Sequence, residues 1–481
     1  MHPLMTNIRP AIATQGWPLL AVDSARIRVG LDSALRKHHL DSFSAVRLIH
    51  IDTNWFYQVQ VRAGEPVYLS CTNGNVLTAG DWLYAQYLAR YFLEGKLAKG
   101  AAPDVSTATP RDGSAPDCCG AATECVLNPV RGAKVANVSM VRAYDREYKS
   151  INRLLPVYRV SFDRADGIRI YVETTQDRFS FAMDNRRAVF DELFRIFHTW
   201  GWLDVLGRWK DVVVFVVASL AFCTVLLGMY LFFRLRAPRA GVRRLHRYTA
   251  IVAALFTLFW SFSGAWQALS KVSGPEDRVI GVQQRFGADE AAVDLFRLDS
   301  AAGGEIGGLS LVKMDGRNYW RLSMVSDRVA AVKDLMKDGK AVGPRVVYVN
   351  AVDYSVLPDG DRRYANYLGD VLSRDSAAVG LTKVTAFDDE YNFTDKRLPV
   401  WRVSYPGAGH PRWYVETSSG QLAARMDDAI YAEGYSFSVF HKHHFMDWAG
   451  KTVRDGSTMF WAVIQVLMVG VGLFLYFRFR K

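Results

Sequence analysis

Residues Ala143–Gly207 align without a gap onto Ala386–Gly450 at a constant offset of 243, and about a third of the paired positions are identical. A chain written twice must build two related units, and an internal twofold relation between them follows naturally. LPVYRVSF (Leu155–Phe162) returns as LPVWRVSY (Leu398–Tyr405), IYVETTQ (Ile170–Gln176) as WYVETSS (Trp413–Ser419), and Phe197-His198 as Phe440-His441. Each copy then runs into an apolar stretch, so the repeating unit holds a folded part and its membrane anchor.

Three stretches can span a bilayer. Val212–Phe233, Tyr248–Leu269 and Thr458–Phe477 contain no Asp, Glu, Lys or Arg, and each approaches or exceeds the roughly 20 residues that cross about 30 Å of hydrocarbon. Helices are expected, because lipid offers an open backbone no hydrogen-bond partner. Arg234, Arg236, Arg239, Arg243, Arg244 and Arg247 separate the first two spans, and Arg478, Arg480 and Lys481 follow the third. Basic residues mark the cytoplasmic side, so the two large polar regions lie outside. The boundaries expected are an outer domain over 1–205 with an insertion near 97–134, a membrane helix over 206–236, an Arg-rich cytoplasmic loop over 237–247 and a second membrane helix over 248–270. A second outer domain over 271–450, a membrane helix over 456–478 and a tail over 479–481 complete the chain.

The formal charge of +11 is concentrated beside these spans. A basic rim on membrane helices explains it without nucleic acid, which is therefore not an expected partner. At 481 residues the chain is long enough for two outer domains, each with its own core, and a small helical bundle.

Upstream of the gap-free block the repeat continues in pieces. GDWLYAQYL (Gly80–Leu88) matches GDRRYANYL (Gly360–Leu368) and Val67-Tyr68 matches Val347-Tyr348, both at offset 280. The change to 243 places an insertion of 37 residues in the first copy, between Leu88 and Ala143. Further back Tyr57 pairs with Trp320 at offset 263, which sets Leu269, the end of the second span, opposite position 6. The symmetry therefore calls for an inbound helix ahead of the first copy, and the expected parent architecture has four spans, with three seen here.

The outer regions read as α+β units. VYLSCTNGNVL (Val67–Leu77) is strand, Asn-Gly turn and strand, a strong hairpin signal, and WYVETSSGQLAARM (Trp413–Met426) repeats it with Ser-Gly at the turn. Trp82–Leu93 and Tyr364–Leu372 space their apolar residues as helices do. Mixed sheets with helices on one face are expected. The insertion differs: Lys99–Asp117 is rich in Ala, Pro, Ser, Thr and Gly and reads as a mobile loop. It precedes Cys118, Cys119 and Cys125, among which a local disulfide from Cys119 to Cys125 is expected in an oxidising compartment, with free thiols or a metal site as alternatives. Cys71 and Cys223 read as small apolar packing groups.

Histidines carry the candidate chemistry. His198 and His441 are equivalent, each shortly before an outbound span in aromatic surroundings, LFRIFHTWGWLD (Leu193–Asp204) and FSVFHKHHFMDW (Phe437–Trp448). Two imidazoles related by internal symmetry suit one iron, as in a bis-His haem. No Cys-x-x-Cys-His motif is present, so such a haem is held non-covalently. The competing reading is an aromatic belt at the membrane boundary in which histidine binds nothing. The second copy adds His443 and His444, and His246 sits at the cytoplasmic mouth of the second span. Phosphate-cradling glycine loops, GxSxG elbows and HExxH helices are absent from the sequence. Glu173 and Glu416 recur beside Thr174 and Thr417 and read as strand-pairing features before acid/base groups.

The chain resembles the PepSY-associated transmembrane family, whose members include bacterial iron-regulated inner-membrane proteins and ferric-siderophore reductases. The likeness lies in LHRYTAIVAALFTLFWSFSGAWQAL (Leu245–Leu269), WYVETSSGQL (Trp413–Leu422) and the Phe-His pairs. It implies a helical membrane bundle carrying two PepSY-like α+β periplasmic domains related by duplication, in a multi-pass protein of the bacterial inner membrane. It further implies haem b held by histidines, for which His198, His441, His246 and His444 are the candidates here. Electrons from an unidentified donor would pass to a periplasmic ferric siderophore. A second expectation, of a different class, is a non-enzymatic scaffold that binds a periplasmic partner, because family membership does not fix function.

Overall fold

The structure, a computed structural model, describes residues 8–61, 64–96, 133–236, 241–273, 280–325, 344–375, 378–392 and 395–478. Cys118, Cys119, Cys125 and nearly all of the insertion lie outside these residues. In the first half the elements run α1 (Leu31–Lys37), β1 (Ser42–Phe43), β2 (Ala45–Ile51), β3 (Asn54–Gln60), β4 (Val67–Ser70), α2 (Gly80–Glu94), β5 (Val135–Val141), β6 (Val157–Phe162), β7 (Arg169–Glu173), β8 (Arg178–Met183) and α3 (Asn185–Phe197). Two long helices follow, α4 (Trp209–Arg234) and α5 (Val242–Ser273). The second half runs β9 (Phe286–Gly287), α6 (Leu295–Ala302), β10 (Ile306–Met314), β11 (Arg317–Met324), β12 (Val346–Asn350), β13 (Val356–Leu357), α7 (Gly360–Ser373), β14 (Gly380–Val384), β15 (Val400–Ser404), β16 (Arg412–Glu416), β17 (Gln421–Met426), α8 (Asp428–Ser436) and α9 (Lys451–Arg478).

The three apolar stretches fall inside α4, α5 and α9, each long and apolar enough to cross a membrane. The chain forms two compact units. One comprises Met1–Arg9, Arg186–Arg278 and Asp427–Lys481, the other Pro10–Asn185 and Val279–Met426. The helix before each outbound span thus groups with the membrane helices.

Within the second unit, two four-stranded sheets share one order, β5-β6-β7-β8 and β14-β15-β16-β17. Alternating β-branched and aromatic residues make these strands: in VYRVSF of β6 Val157, Val160 and Phe162 are buried. Both sheets repeat small details. Asp145 accepts from the Glu147 and Tyr148 amides, and Asp388 from those of Glu390 and Tyr391. Tyr148 stacks on Tyr171 at 4.8 Å and Tyr391 on Tyr414 at 4.5 Å.

The remaining strands form one seven-stranded sheet, β13-β12-β11-β10-β2-β3-β4. Its two parts join where Arg47 of β2 faces Ser310 of β10, residues separated by the same 263 that relates Tyr57 to Trp320. Phe43 of β1 likewise faces Phe286 of β9, with their rings stacked at 5.4 Å. The expectation of separate cores gives way here, because one cluster contains Leu31, Tyr57 and Leu69 together with Leu298, Trp320 and Val349. The expectation of mixed sheets is corrected as well. All strand pairs among the described residues are antiparallel, since the strands of each four-stranded sheet follow one another as a meander and need no crossover.

The Asn73-Gly74 turn forms with Gly74 in the left-handed region, φ 69°. Its second arm contributes only the Leu69–Val76 bridge before the chain enters α2, so the hairpin expected over Val67–Leu77 is truncated. Gly80 opens α2 against the Tyr68 ring, where a Cβ would come within 2.6 Å, and Gly360 opens α7 against Tyr348 at the same distance. A close helix-to-strand approach is what the shared Gly-Asp signature encodes.

An ion cluster joins the four-stranded sheets. Arg178 of β8 pairs with Glu416 of β16 and lies 3.6 Å from Glu173, and Arg397 stands 3.9 Å from Glu416. Beside it Arg153 meets Asp395 at 3.3 Å while Lys396 donates to Asn152 at 2.8 Å. Offset 243 maps 152 and 153 onto 395 and 396, so the contact is reciprocal, as in an isologous interface.

Candidate functional site

The membrane unit begins from helix packing. α5 runs antiparallel to α4, with Phe262 near Phe222 at 5.9 Å and Tyr248 near Phe232 at 5.8 Å. Arg247 hydrogen-bonds the carbonyls of Phe232, Leu235 and Arg236, capping oxygens that the end of α4 leaves without helical partners. α9 runs antiparallel to α5: Trp461 stacks on Phe256 at 3.9 Å, and Gln465 links Thr257 and the Ala253 carbonyl at 2.7 Å each. Such interhelical hydrogen bonds hold helices where lipid supplies no hydrophobic drive. Arg234 of α4, Arg243, Arg244 and Arg247 of α5 and Arg478 of α9 therefore lie at one end.

Of the candidate histidines, His198, His441 and His444 lie near the opposite ends. Asp427 caps α8, accepting from the Ile430 amide at 2.9 Å, and a wide turn over Phe437–His441 follows. His443, left-handed at φ 58°, redirects the chain into the turn His444–Ala449 and then α9. In the first half α3 ends at Phe197, Trp200 is left-handed at φ 54°, and the turn Gly201–Leu206 leads to α4. Asp204 fixes this corner through Arg195 and Lys210, at 2.9 and 2.6 Å, which hold its carboxyl below the usual range. Its counterpart Asp447 takes Arg454 at 2.5 Å and His444 at 2.8 Å.

These corners bring His198 and His441 together, with ring centroids 5.7 Å apart and planes at 70°. Phe194 packs on His198 at 4.6 Å and Phe437 on His441 at 4.5 Å. Ser263 Oγ of α5 lies 3.3 Å from His441 Nδ1.

The other candidates are not part of this pair. His444 belongs to the ion cluster with Asp447 and Arg454. His246 lies on α5 at the far end, facing α9 at Gly472, with its Nδ1 buried and without a hydrogen-bond partner among the described residues. Sequence reasoning selected His444 over His443, whereas the fully buried ring is that of His443. It stacks on Trp260 at 5.6 Å and 4°, has Phe256 and Phe445 each at 5.3 Å, and places Nδ1 3.3 Å from Ser457 Oγ. Burial lowers its pKa, keeping it neutral. The available signal was its alignment with Trp200, which marks an aromatic packing position. Among the described residues no three His, Cys, Asp or Glu side chains gather as a metal site.

Membrane-length helices joined to antiparallel sheet domains define a multi-span membrane protein with folded domains outside its helices. Residues 101–305, a stretch that includes β5–β8 and the α4–α5 hairpin, match the family model of the PepSY-associated TM region. No curated protein and no solved structure matches the chain.

Proposed function

We propose that this protein is an inner-membrane haem protein in which His198 and His441 would hold one haem b, and that it passes electrons to periplasmic ferric-siderophore complexes. The observation that carries the reading is the meeting of two equivalent imidazoles 5.7 Å apart. Haem iron between two imidazoles supplies reversible one-electron transfer when bound. Ser263 orients His441 from α5, and Phe194 and Phe437 pack on the two rings. His246, at the basic end, is the ligand assigned to an inner site. The basic end faces the cytoplasm by the charge rule, which sets the histidine pair on the periplasmic side. We read the two halves as products of one duplication, supported by their matching sheet orders and the reciprocal contacts of residues 152, 153, 395 and 396.

Absorption of the purified full chain from haem-replete cells tests the proposal. A Soret band that shifts on dithionite and disappears in both His198→Ala and His441→Ala is the expected result. A folded but colourless protein, or a band that survives both substitutions, overturns the assignment and leaves a scaffold that binds a periplasmic partner.

A further inference from the structure

His50, near the end of β2, is 5% exposed, and neither of its ring nitrogens has a hydrogen-bond partner among the described residues. Three aromatic rings enclose the imidazole. Trp17 stacks on it at 5.4 Å and 18°, Trp55 of β3 meets it edge-on at 5.5 Å and Tyr87 of α2 at 6.1 Å. Trp17 belongs to residues 10–20, which form neither helix nor strand. They lie along α2 as a strap: the Ala13 amide donates to the Phe92 carbonyl at 3.0 Å and the Thr14 amide at 3.2 Å, while Ile12 and Trp17 pack on the core around α2. The second half shows what a cation at this position requires. The offset of 263 sets His50 against Lys313, whose amine donates to the Arg285 carbonyl at 3.0 Å and to Glu290 at 3.3 Å. The same offset sets Ile27 against Glu290, so the first half lacks that acceptor. A neutral imidazole carries one N–H and an imidazolium two, and a buried donor without an acceptor costs more when it is charged. Asp177 and Arg47 are the charges that act on the ring, and they pair with each other and pull in opposite directions. Tyr87 faces it as a phenol whose ionisation burial displaces upwards, Trp55 brings no charge, and residues 10–20 contain no titratable side chain.

We propose that His50 is an acid-operated catch on the strap: protonation of its imidazole drives Trp17 off the ring, so that water accepts from both nitrogens and residues 10–20 come away from α2. Burial, the largest cause, lowers the His50 pKa to about 4, whereas an exposed histidine titrates near about 6.5. A base whose pKa is depressed in the closed form keeps that form fully favoured above about pH 6.5 and releases it progressively as pH falls towards about 4. The device is independent of the haem reading, since all of its parts lie in the unit that carries the sheets.

Hydrogen exchange of the full chain in nanodiscs, corrected for the intrinsic pH dependence of amide exchange, tests the catch. Between about pH 7.5 and about pH 4.5, protection of the Ala13 and Thr14 amides should fall about 80-fold in the wild type, while peptides from β6 and β7 keep theirs. His50→Phe retains an aromatic stack without a titratable nitrogen and should hold the strap's protection constant over the same range. His50→Leu is the second such variant should the first lose β6 and β7 protection at the higher pH. Trp17→Ala should exchange fast in the strap at both pH values. Strap protection that stays constant in the wild type, that falls as steeply in the folded His50 variants, or that falls only together with β6 and β7 overturns the proposal.

Discussion

Asp81 and Asp361 occupy equivalent places at the starts of α2 and α7, yet they titrate in opposite directions. Burial pushes Asp81 up to about 6 despite the hydroxyl that Tyr68 donates at 2.7 Å. Burial acts on Asp361 too, but the Arg321 and Lys383 charges prevail and hold it below its ordinary value, with Thr417 and Trp401 donating at 2.7 and 2.9 Å. An aspartate ionises near 3.9 in an unfolded chain. Asp81 therefore leaves the fold most stable below about pH 4 and weakens it as pH climbs through 6. Asp81→Asn should raise neutral-pH stability by on the order of 2 kcal/mol and flatten the melting profile between pH 4 and 7, read as apparent Tm in detergent. Asp361→Asn should destabilise at neutral pH and converge on the wild type only once pH has fallen below the depressed folded pKa of Asp361, because a depressed carboxylate contributes stability above its unfolded pKa and loses it as pH falls through the folded one. Equal slopes in all three proteins would refute the contrast. Both aspartates sit in the same Gly-Asp signature. The difference comes from Arg321 and Lys383, brought in by β11 and β14.

Secondary elements were the most legible level. Apolar runs gave α4, α5 and α9, and helical spacing gave α2 and α7, because length and periodicity are local properties. Glu173 and Glu416 were readable as recurring strand residues, but their partners were not. Arg178 replaces the Gln421 of the second copy, and this one asymmetric charge serves carboxylates from both sheets. Glu416 is 1% exposed, so Glu416→Ala would strand Arg178 and Arg397 in a low-dielectric site. The expected cost is about 3–5 kcal/mol, against a smaller loss for Glu416→Gln, which keeps hydrogen-bonding capacity. Urea titration of the intact protein followed by tyrosine fluorescence separates these outcomes, and a loss under 1 kcal/mol for the alanine variant would refute the cluster's role.

At the scale of the whole chain, the repeat foretold two similar halves but not that they share a seven-stranded sheet and one core. A repeat reports what each copy resembles and is silent on which edges of the copies pair. Trp320, fully buried in that shared core, offers the check. Trp320→Ala should cost about 3–5 kcal/mol, and amide exchange should accelerate in β3 together with β11 rather than in β11 alone. The paired histidines were legible because equivalence put them on matched corners. His443 was not, because its burial is built by Trp260 and Phe256 on another helix.

The clasp made by Arg247 bears on how the chain enters its bilayer. Main-chain oxygens at the exit of one span are satisfied by a side chain at the entrance of the next, so the turn between α4 and α5 carries its own polar closure. Such a pair can leave the translocon as a single prefolded hairpin, meeting lipid with apolar flanks on both sides and without a bare helix end to hydrate.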